Sequence, residues 1–286
     1  MPNLNAVTPP VIIGHRGYSA RYPENTLLAF EAAYAAGADM IELDVTLSRD
    51  RQVVVMHDAV LDRTTEGSGP VSAQTLDSLK RLDAGGWFHP RFSGQRIPTL
   101  AEVLERFRPE GLINVEIKAE AFELHDPEDG IERQVLAMLE SFDLMRQVLI
   151  SSFEMRILTR LHDRHHPPLG VLSGRRTPPD VLRFCRDLGA FSWHPHCRGL
   201  EPRMVAAARK AGLRVFPYTA NAPADIRRLL SLGVDGFFTD DPQAAVKCVA
   251  ELRSEEPMVS STGGDRSKRM NRRNGDRAKR RSYKPK

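Results

Sequence analysis

Two hundred and eighty-six residues, 41% apolar and 27% charged, suit one large α/β domain or two modest ones; they exclude a wholly disordered chain, a collagen-like repeat and a disulfide miniprotein. No apolar run approaches the roughly 20 residues that span a bilayer, and MPNLNAVTPP lacks the basic head and apolar stretch of a secretory signal, so a cytoplasmic protein is expected. The overall charge of +4 is unevenly spread: Asp265–Lys286 carries eleven Lys/Arg against two Asp, and the rest of the chain is mildly acidic.

In chain order, short β-branched apolar runs alternate with helical stretches of about a dozen residues, the pattern of a parallel sheet. The strands expected are Val11–Ile13, Asp39–Leu47, Val53–His57, Leu112–Lys118, Val148–Phe153, Leu169–Ser173, Ala190–His194, Leu213–Thr219 and Gly236–Thr239. The second and third are joined only by SRDR, too short for a parallel crossover, so they form an antiparallel hairpin. Eight parallel strands remain, enough for a (β/α)8 TIM barrel over residues 11–252.

Helices fall where that barrel needs them, among them TLLAFEAAYAAG, TLAEVLERF, IERQVLAMLESF, PPDVLRFCRDLG, PRMVAAARKAG and PADIRRLLSLG. Thr99 with Glu102 reads as a capping box, and Asp241-Pro242 as an N-cap followed by a proline at the first helical position. Gly37, Gly189, Gly212 and Gly233 stand at helix ends. The segment 61–97 fits no strand–helix unit and is read as a small insertion after the second barrel strand, near the mouth of the barrel. Trp87 and Phe88 are expected in its core. The tail, residues 255–286, has little to bury and is expected to be disordered. Cys185, Cys197 and Cys248, odd in number and without a CxxC, read as reduced thiols.

Active sites of such barrels lie at the C-terminal ends of the strands. There the sequence places Gly14-His15-Arg16-Gly17, Glu42 and Asp44, His57-Asp58, and Glu116 with Lys118. Alternation along MIELDVTL sends Glu42 and Asp44 into the barrel and Ile41, Leu43 and Val45 toward the helices; Glu116 faces inward by the same rule. If the hairpin turns on Arg49-Asp50, His57 lies opposite Glu42 and Val55 opposite Asp44. Three packed carboxylates repel one another, and a hard divalent cation, Mg²⁺ or Ca²⁺, is the simplest compensation. The alternative pairs them with Arg16 and Lys118 in a structural salt-bridge network. His15 and His57, converging beside acids and cations, suit general acid and base.

The runs GHRGYSARYPENTLLAFEAA, GADMIELDVTLSRDRQVVVMHDAVLDRTT, IPTLAEVL and NVEIK, with GVDGFFTDDP near the end, resemble the glycerophosphodiester phosphodiesterase family over nearly all of residues 11–250. The resemblance implies a TIM barrel with a small inserted cap, a divalent metal held by Glu42, Asp44 and Glu116, His15 and His57 as the acid–base pair, and Arg16 and Lys118 on the substrate phosphate. It departs at Tyr218-Thr219-Ala220-Asn221, where the family often has Trp-Thr-x-Asn; Tyr218 then offers the substrate's alcohol side a smaller stacking surface. The expected reaction is hydrolysis of glycerophosphodiesters such as glycerophosphocholine and glycerophosphoethanolamine to glycerol 3-phosphate and an alcohol, in glycerol and lipid metabolism.

Two rivals stand beside it. A lysophospholipase D would keep the site and take a lysophospholipid. A non-catalytic barrel would serve as a module tethered to RNA or anionic lipid by the basic 265–286 segment, which attracts phosphates without needing structure. Trp193-His194-Pro195-His196 is expected to give a packed tryptophan with exposed histidines, and His165-His166 a solvated turn. No Walker loop, GxGxxG after a strand or GxSxG is present, which leaves nucleotide-binding and serine-hydrolase readings without support.

Overall fold

The computed structural model describes residues 3–108 and 111–255. Its strands are β1 (Val11–Gly14), β2 (Met40–Leu47), β3 (Val53–Val55), β4 (Leu112–Ile117), β5 (Val148–Ser152), β6 (Leu169–Ser173), β7 (Ser192–Pro195), β8 (Arg214–Val215) and β9 (Gly236–Thr239). The helices are α1 (Leu27–Ala35), α2 (Leu76–Arg81), α3 (Leu100–Phe107), α4 (Ile131–Ser141), α5 (Met155–His162), α6 (Val181–Asp187), α7 (Pro202–Lys210), α8 (Pro223–Ser231) and α9 (Pro242–Glu255). The parallel strands run in the order β8-β7-β6-β5-β4-β2-β1-β9, with β3 antiparallel on β2. At the seam, Val215, Pro217 and Phe238 carbonyls accept from Asp235, Phe238 and Ala220 amides at 3.1, 3.0 and 2.8 Å. The result is a nearly closed (β/α)8 barrel.

Period-two alternation divides each strand between two environments. On β2, Ile41, Leu43, Val45 and Leu47 pack into the apolar layer between barrel and helices, whereas Met40 joins Ile13, Leu112, Leu149, Phe216 and Phe238 inside the barrel. Leu4, fully buried, plugs the bottom of that interior. Above it Glu42 is in register with Asn114, and Asp44 with Glu116. The barrel is therefore oil-filled below and carboxylate-lined at the top. Local signals hold as read: Thr99 and Glu102 form the capping box, the Asp241 carboxylate accepts from the Ala244 amide, and the four helix-end glycines have positive φ.

Four expectations are corrected. The hairpin pairs Val45 with Val55 and Leu47 with Val53, one residue off the expected register. Its loop has three residues, Arg49-Asp50-Arg51, and Arg51 adopts the left-handed region with φ 63°, so the turn adds a residue that a two-residue hairpin would not. β3 accordingly ends at Val55, and His57 reaches the site from the bend beyond it. β8 is two residues long rather than seven, because Pro217 lacks an amide hydrogen for the ladder.

Trp87 is 38% exposed; the core of the insertion is instead Leu61, Val71, Leu79, Ala84 and Ile97 packed on Val54 and Met56 of the hairpin arm. His194 is fully buried rather than exposed, because it shares inward parity with Ser192, whose hydroxyl lies 2.8 Å from its Nε2. Gly170 makes room for that imidazole: a Cβ there would lie 2.7 Å from the ring. The other residue of that pair, His196, is half-buried, while Trp193 is packed as expected. The expected disordered tail lies outside the described residues, except for the end of α9.

Candidate active site

The β1–α1 turn is built by Gly14, His15, Arg16 and Gly17. Gly17 has φ 83° and its Cα lies against α1, where a Cβ would come within 2.6 Å of the Ala29 backbone, so only glycine lets the turn pack there. The turn sets two groups at once. The Arg16 amide donates to Glu42 Oε2 at 2.7 Å, and the His15 amide is tied to the Thr239 carbonyl of β9.

Glu42, Asp44 and Glu116 meet at the top of β2 and β4, with one carboxylate oxygen from each lying within 4.8 Å of the others. All three are buried. Lys118 Nζ donates to Asp44 at 3.2 Å and to Glu116 at 3.0 Å, and Arg16 Nε stands 3.5 Å from Asp44. Asn25, buried with φ 57°, donates a further hydrogen bond to Asp44.

The electrostatics are lopsided. Burial works against the Asp44 anion, but Lys118, Arg16 and His57 together hold its pKa down at about 2. Glu116 is pushed up to about 7 by burial and then by Asp44, and Glu42 well above its ordinary value by burial and then by Asp44 and Glu116. Lys118 and Arg16, the latter shared with Glu24, do not neutralise the three carboxylates. A divalent cation would remove the mutual repulsion, and the all-oxygen donor set suits a hard one. The residues therefore fit a divalent metal.

Each sequence-predicted histidine is held by a carboxylate. His15 Nδ1 lies 2.7 Å from Asp240, which also accepts from Ser19 and Asn221. His57 Nδ1 lies 2.5 Å from Asp58. A carboxylate only accepts, so Nδ1 carries the proton and Nε2 remains for other work. Burial lowers the His57 pKa, opposed in part by Asp44. Tyr218 donates to the Ser173 carbonyl and meets Phe153 and His196 edge to face; burial pushes its phenol up to about 12. His15, Arg16, Glu42, His57, Glu116, Lys118 and Tyr218 line one cleft of about 370 Å³, and Asp44 lies just beneath it.

Residues 15–244 match the glycerophosphoryl diester phosphodiesterase family. The chain belongs to that family. It is 38% identical to a glycerophosphodiester phosphodiesterase of Caldanaerobacter subterraneus, covering 84% of this chain and 97% of the relative, and 38% identical to one of Bacillus altitudinis, covering 85% and 99%. Among solved structures it is similar to an Oleispira antarctica phosphodiesterase in complex with the product sn-glycerol-3-phosphate, at 31% identity and TM-score 0.78 over 84% of this chain and 97% of that one.

Sequence reading missed the groups that support these side chains. Arg63, from the insertion, donates to Asp58 at 2.6 Å and makes a two-pronged contact with Glu24 at 2.7 and 2.8 Å; Glu24 in turn accepts from Arg16 at 2.8 Å. One chain of ion pairs thus runs from Arg16 through Glu24, Arg63 and Asp58 to His57. Its signals were the carboxylate next to His57 and the Glu24-Asn25 pair in the β1–α1 segment. If His57 serves as acid or base, Arg63→Ala is expected to lower kcat about tenfold with KM little changed, since Arg63 fixes the Asp58 carboxylate that orients the ring. Arg63→Lys, which keeps the charge but loses the fork, should recover only part. An unchanged kcat in Arg63→Ala would show that the network is structural only.

Proposed function

We propose that this protein hydrolyses glycerophosphodiesters to glycerol 3-phosphate and an alcohol, with Glu42, Asp44 and Glu116 holding Mg²⁺ or Ca²⁺ and His15 and His57 acting as the acid–base pair. The observation that carries the reading is the convergence of two carboxylate-held imidazoles on a buried three-carboxylate cluster, in a chain of this family. The bound metal would polarise a phosphoryl oxygen and offset the charge that builds on the phosphorane.

The remaining chemistry falls to the chain's own groups. Arg16 lines the cleft, and its guanidinium, paired with Glu24 and 3.5 Å from Asp44, presents positive charge to a phosphate oxygen. Lys118, locked between Asp44 and Glu116, stabilises the cluster and presents its charge to the same phosphate. One imidazole takes a proton from the attacking water, or from the glycerol 2-hydroxyl where a cyclic phosphate forms first and water then opens it, and the other gives one to the departing alkoxide. The phosphorus–oxygen bond to the alcohol breaks, water's oxygen ends on phosphorus, and its proton ends on the alcohol.

A lysophospholipid would need room for an acyl chain. The cleft's apolar lining among the described residues is Phe153, Leu172, Cys197, Tyr218 and Phe238, set among several charges, which supports the smaller, water-soluble diester. Glycerophosphoglycerol and lysophosphatidylglycerol share a neutral alcohol and differ in the acyl chain. Initial rates on the pair test the choice: the diester should be the better substrate, and faster turnover of the lysophospholipid would replace this reading with a lysophospholipase D.

The domain reading is a catalytic barrel over 11–252 and a tail over 255–286, whose basic 265–286 segment contacts RNA or anionic lipid. Among the described residues no helix is long and apolar enough to cross a membrane. The three cysteines are free and buried, which suits a reducing cytoplasm. Deleting Asp265–Lys286 is expected to leave kcat on a soluble diester unchanged and to abolish salt-sensitive binding to RNA or anionic vesicles. A large loss of kcat would place the tail at the cleft, and undiminished polyanion binding would move that role to the barrel.

A further inference from the structure

The cleft has two unlike ends. One is the carboxylate cluster with its cations. The other is built by the segments after β6, β7 and β8 and carries Arg175, His196 and Arg198 beside Tyr218 and Phe153. Among the described residues, Glu42 and Glu116 are the only carboxylates lining the cleft, and both belong to the cluster. The second end therefore has no anion of its own.

Arg16 and Lys118 are already committed to carboxylates, whereas Arg175 and Arg198 are exposed guanidiniums for which the described residues supply no ion pair. Both lie near His196, whose pKa is lowered by burial and then by these two charges. Such a pair, lining the cleft, repels a cation and matches a phosphate or carboxylate. The rings do not offset that preference. A quaternary ammonium binds well between open aromatic faces away from other cations; here Phe153 and Tyr218 meet at 88°, and the guanidiniums line the same end.

We propose that this end is the subsite for the leaving alcohol and that Arg175 and Arg198 select alcohols bearing their own negative charge over neutral alcohols and over choline. The proposal rests on the diesterase reading and narrows its substrate class. The glycerol arm is neutral and common to every substrate, so only the alcohol arm brings a charge for this end to read. The bond broken is the same phosphorus–oxygen bond, and the additional anion takes no part in the chemistry.

The test compares kcat/KM of the metal-loaded enzyme on four diesters that all release glycerol 3-phosphate. Bis(glycerophospho)glycerol leaves an alcohol with a second phosphate, glycerophosphoglycolate one with a carboxylate and no ammonium, glycerophosphoglycerol a neutral one and glycerophosphocholine a cation. The wild type should favour the anionic pair over glycerophosphocholine by about tenfold or more, as charge-assisted hydrogen bonds allow. In Arg175→Gln/Arg198→Gln that ratio should fall toward one, whatever happens to the rate common to all four. A preference for bis(glycerophospho)glycerol alone would support the proposal with phosphate as the anion, and one shared by glycerophosphoglycolate would extend it to carboxylates. Wild-type turnover of glycerophosphocholine as fast as the anionic diesters would overturn it. So would an equal slowing of all four in the double variant, which would mean that the two guanidiniums act on the phosphodiester common to all four and not on the alcohol. Failure to hydrolyse any of the four would instead overturn the diesterase reading itself.

Discussion

Glu42→Gln is expected to cost at least about 100-fold in turnover while leaving the barrel folded, because it removes one charge of the proposed metal-binding set and almost no volume. The side chain is buried, its carboxyl is driven well above its ordinary pKa by burial and by Asp44 and Glu116, and its Oε2 accepts the Arg16 amide. A glutamine carbonyl can keep that hydrogen bond while relieving the repulsion. The metal-free variant should therefore melt no lower than the metal-free wild type. The wild type should gain thermal stability as Mg²⁺ or Ca²⁺ is added, by mass action on the folded state, and Glu42→Gln should lose most of that gain.

Asp44→Asn and Glu116→Gln should lose turnover similarly but cost more stability, because each strips a partner from Lys118 and Asp44 also faces Arg16. A metal-induced thermal shift in Glu42→Gln equal to that of the wild type would exclude Glu42 as a ligand.

The second large effect concerns the imidazoles. His15→Ala and His57→Ala should each lower kcat by about 10²–10⁴-fold, the usual contribution of a positioned general acid or base. Each histidine is oriented by a carboxylate outside the metal cluster, so removing the ring should leave the metal-induced thermal shift in place. That retention distinguishes the histidines from the three carboxylates. If either variant keeps near-wild-type kcat, its histidine only supports the loop that carries it.

The carboxylate cluster was legible because strand alternation is a local rule: Glu42 and Asp44 had to share a face opposite Ile41 and Leu43, and β4 repeats the pattern at Glu116. The hairpin register was not, since it depends on whether Arg51 turns left-handed, which its side chain does not announce. The same alternation, applied to Ser192 and His194, would have placed that imidazole inside. It misled because a buried histidine looks improbable until Gly170 on the neighbouring strand is seen to leave space for it. Asp240 could not be matched to His15 in advance, because the pair is 225 residues apart and meets only when β9 closes against β1. Arg175 and Arg198 belong to different strand ends, and only the closed barrel brings them to one cleft.

The central claim is that a metal held by Glu42, Asp44 and Glu116 enables diester hydrolysis in this cleft. It is tested most directly by following glycerol 3-phosphate release from glycerophosphoglycerol by the wild-type protein before chelation, after EDTA and dialysis, and after Mg²⁺ or Ca²⁺ is returned. Activity should disappear with the metal and recover in proportion to the sites refilled, whereas full activity in the dialysed, metal-free protein would contradict the account.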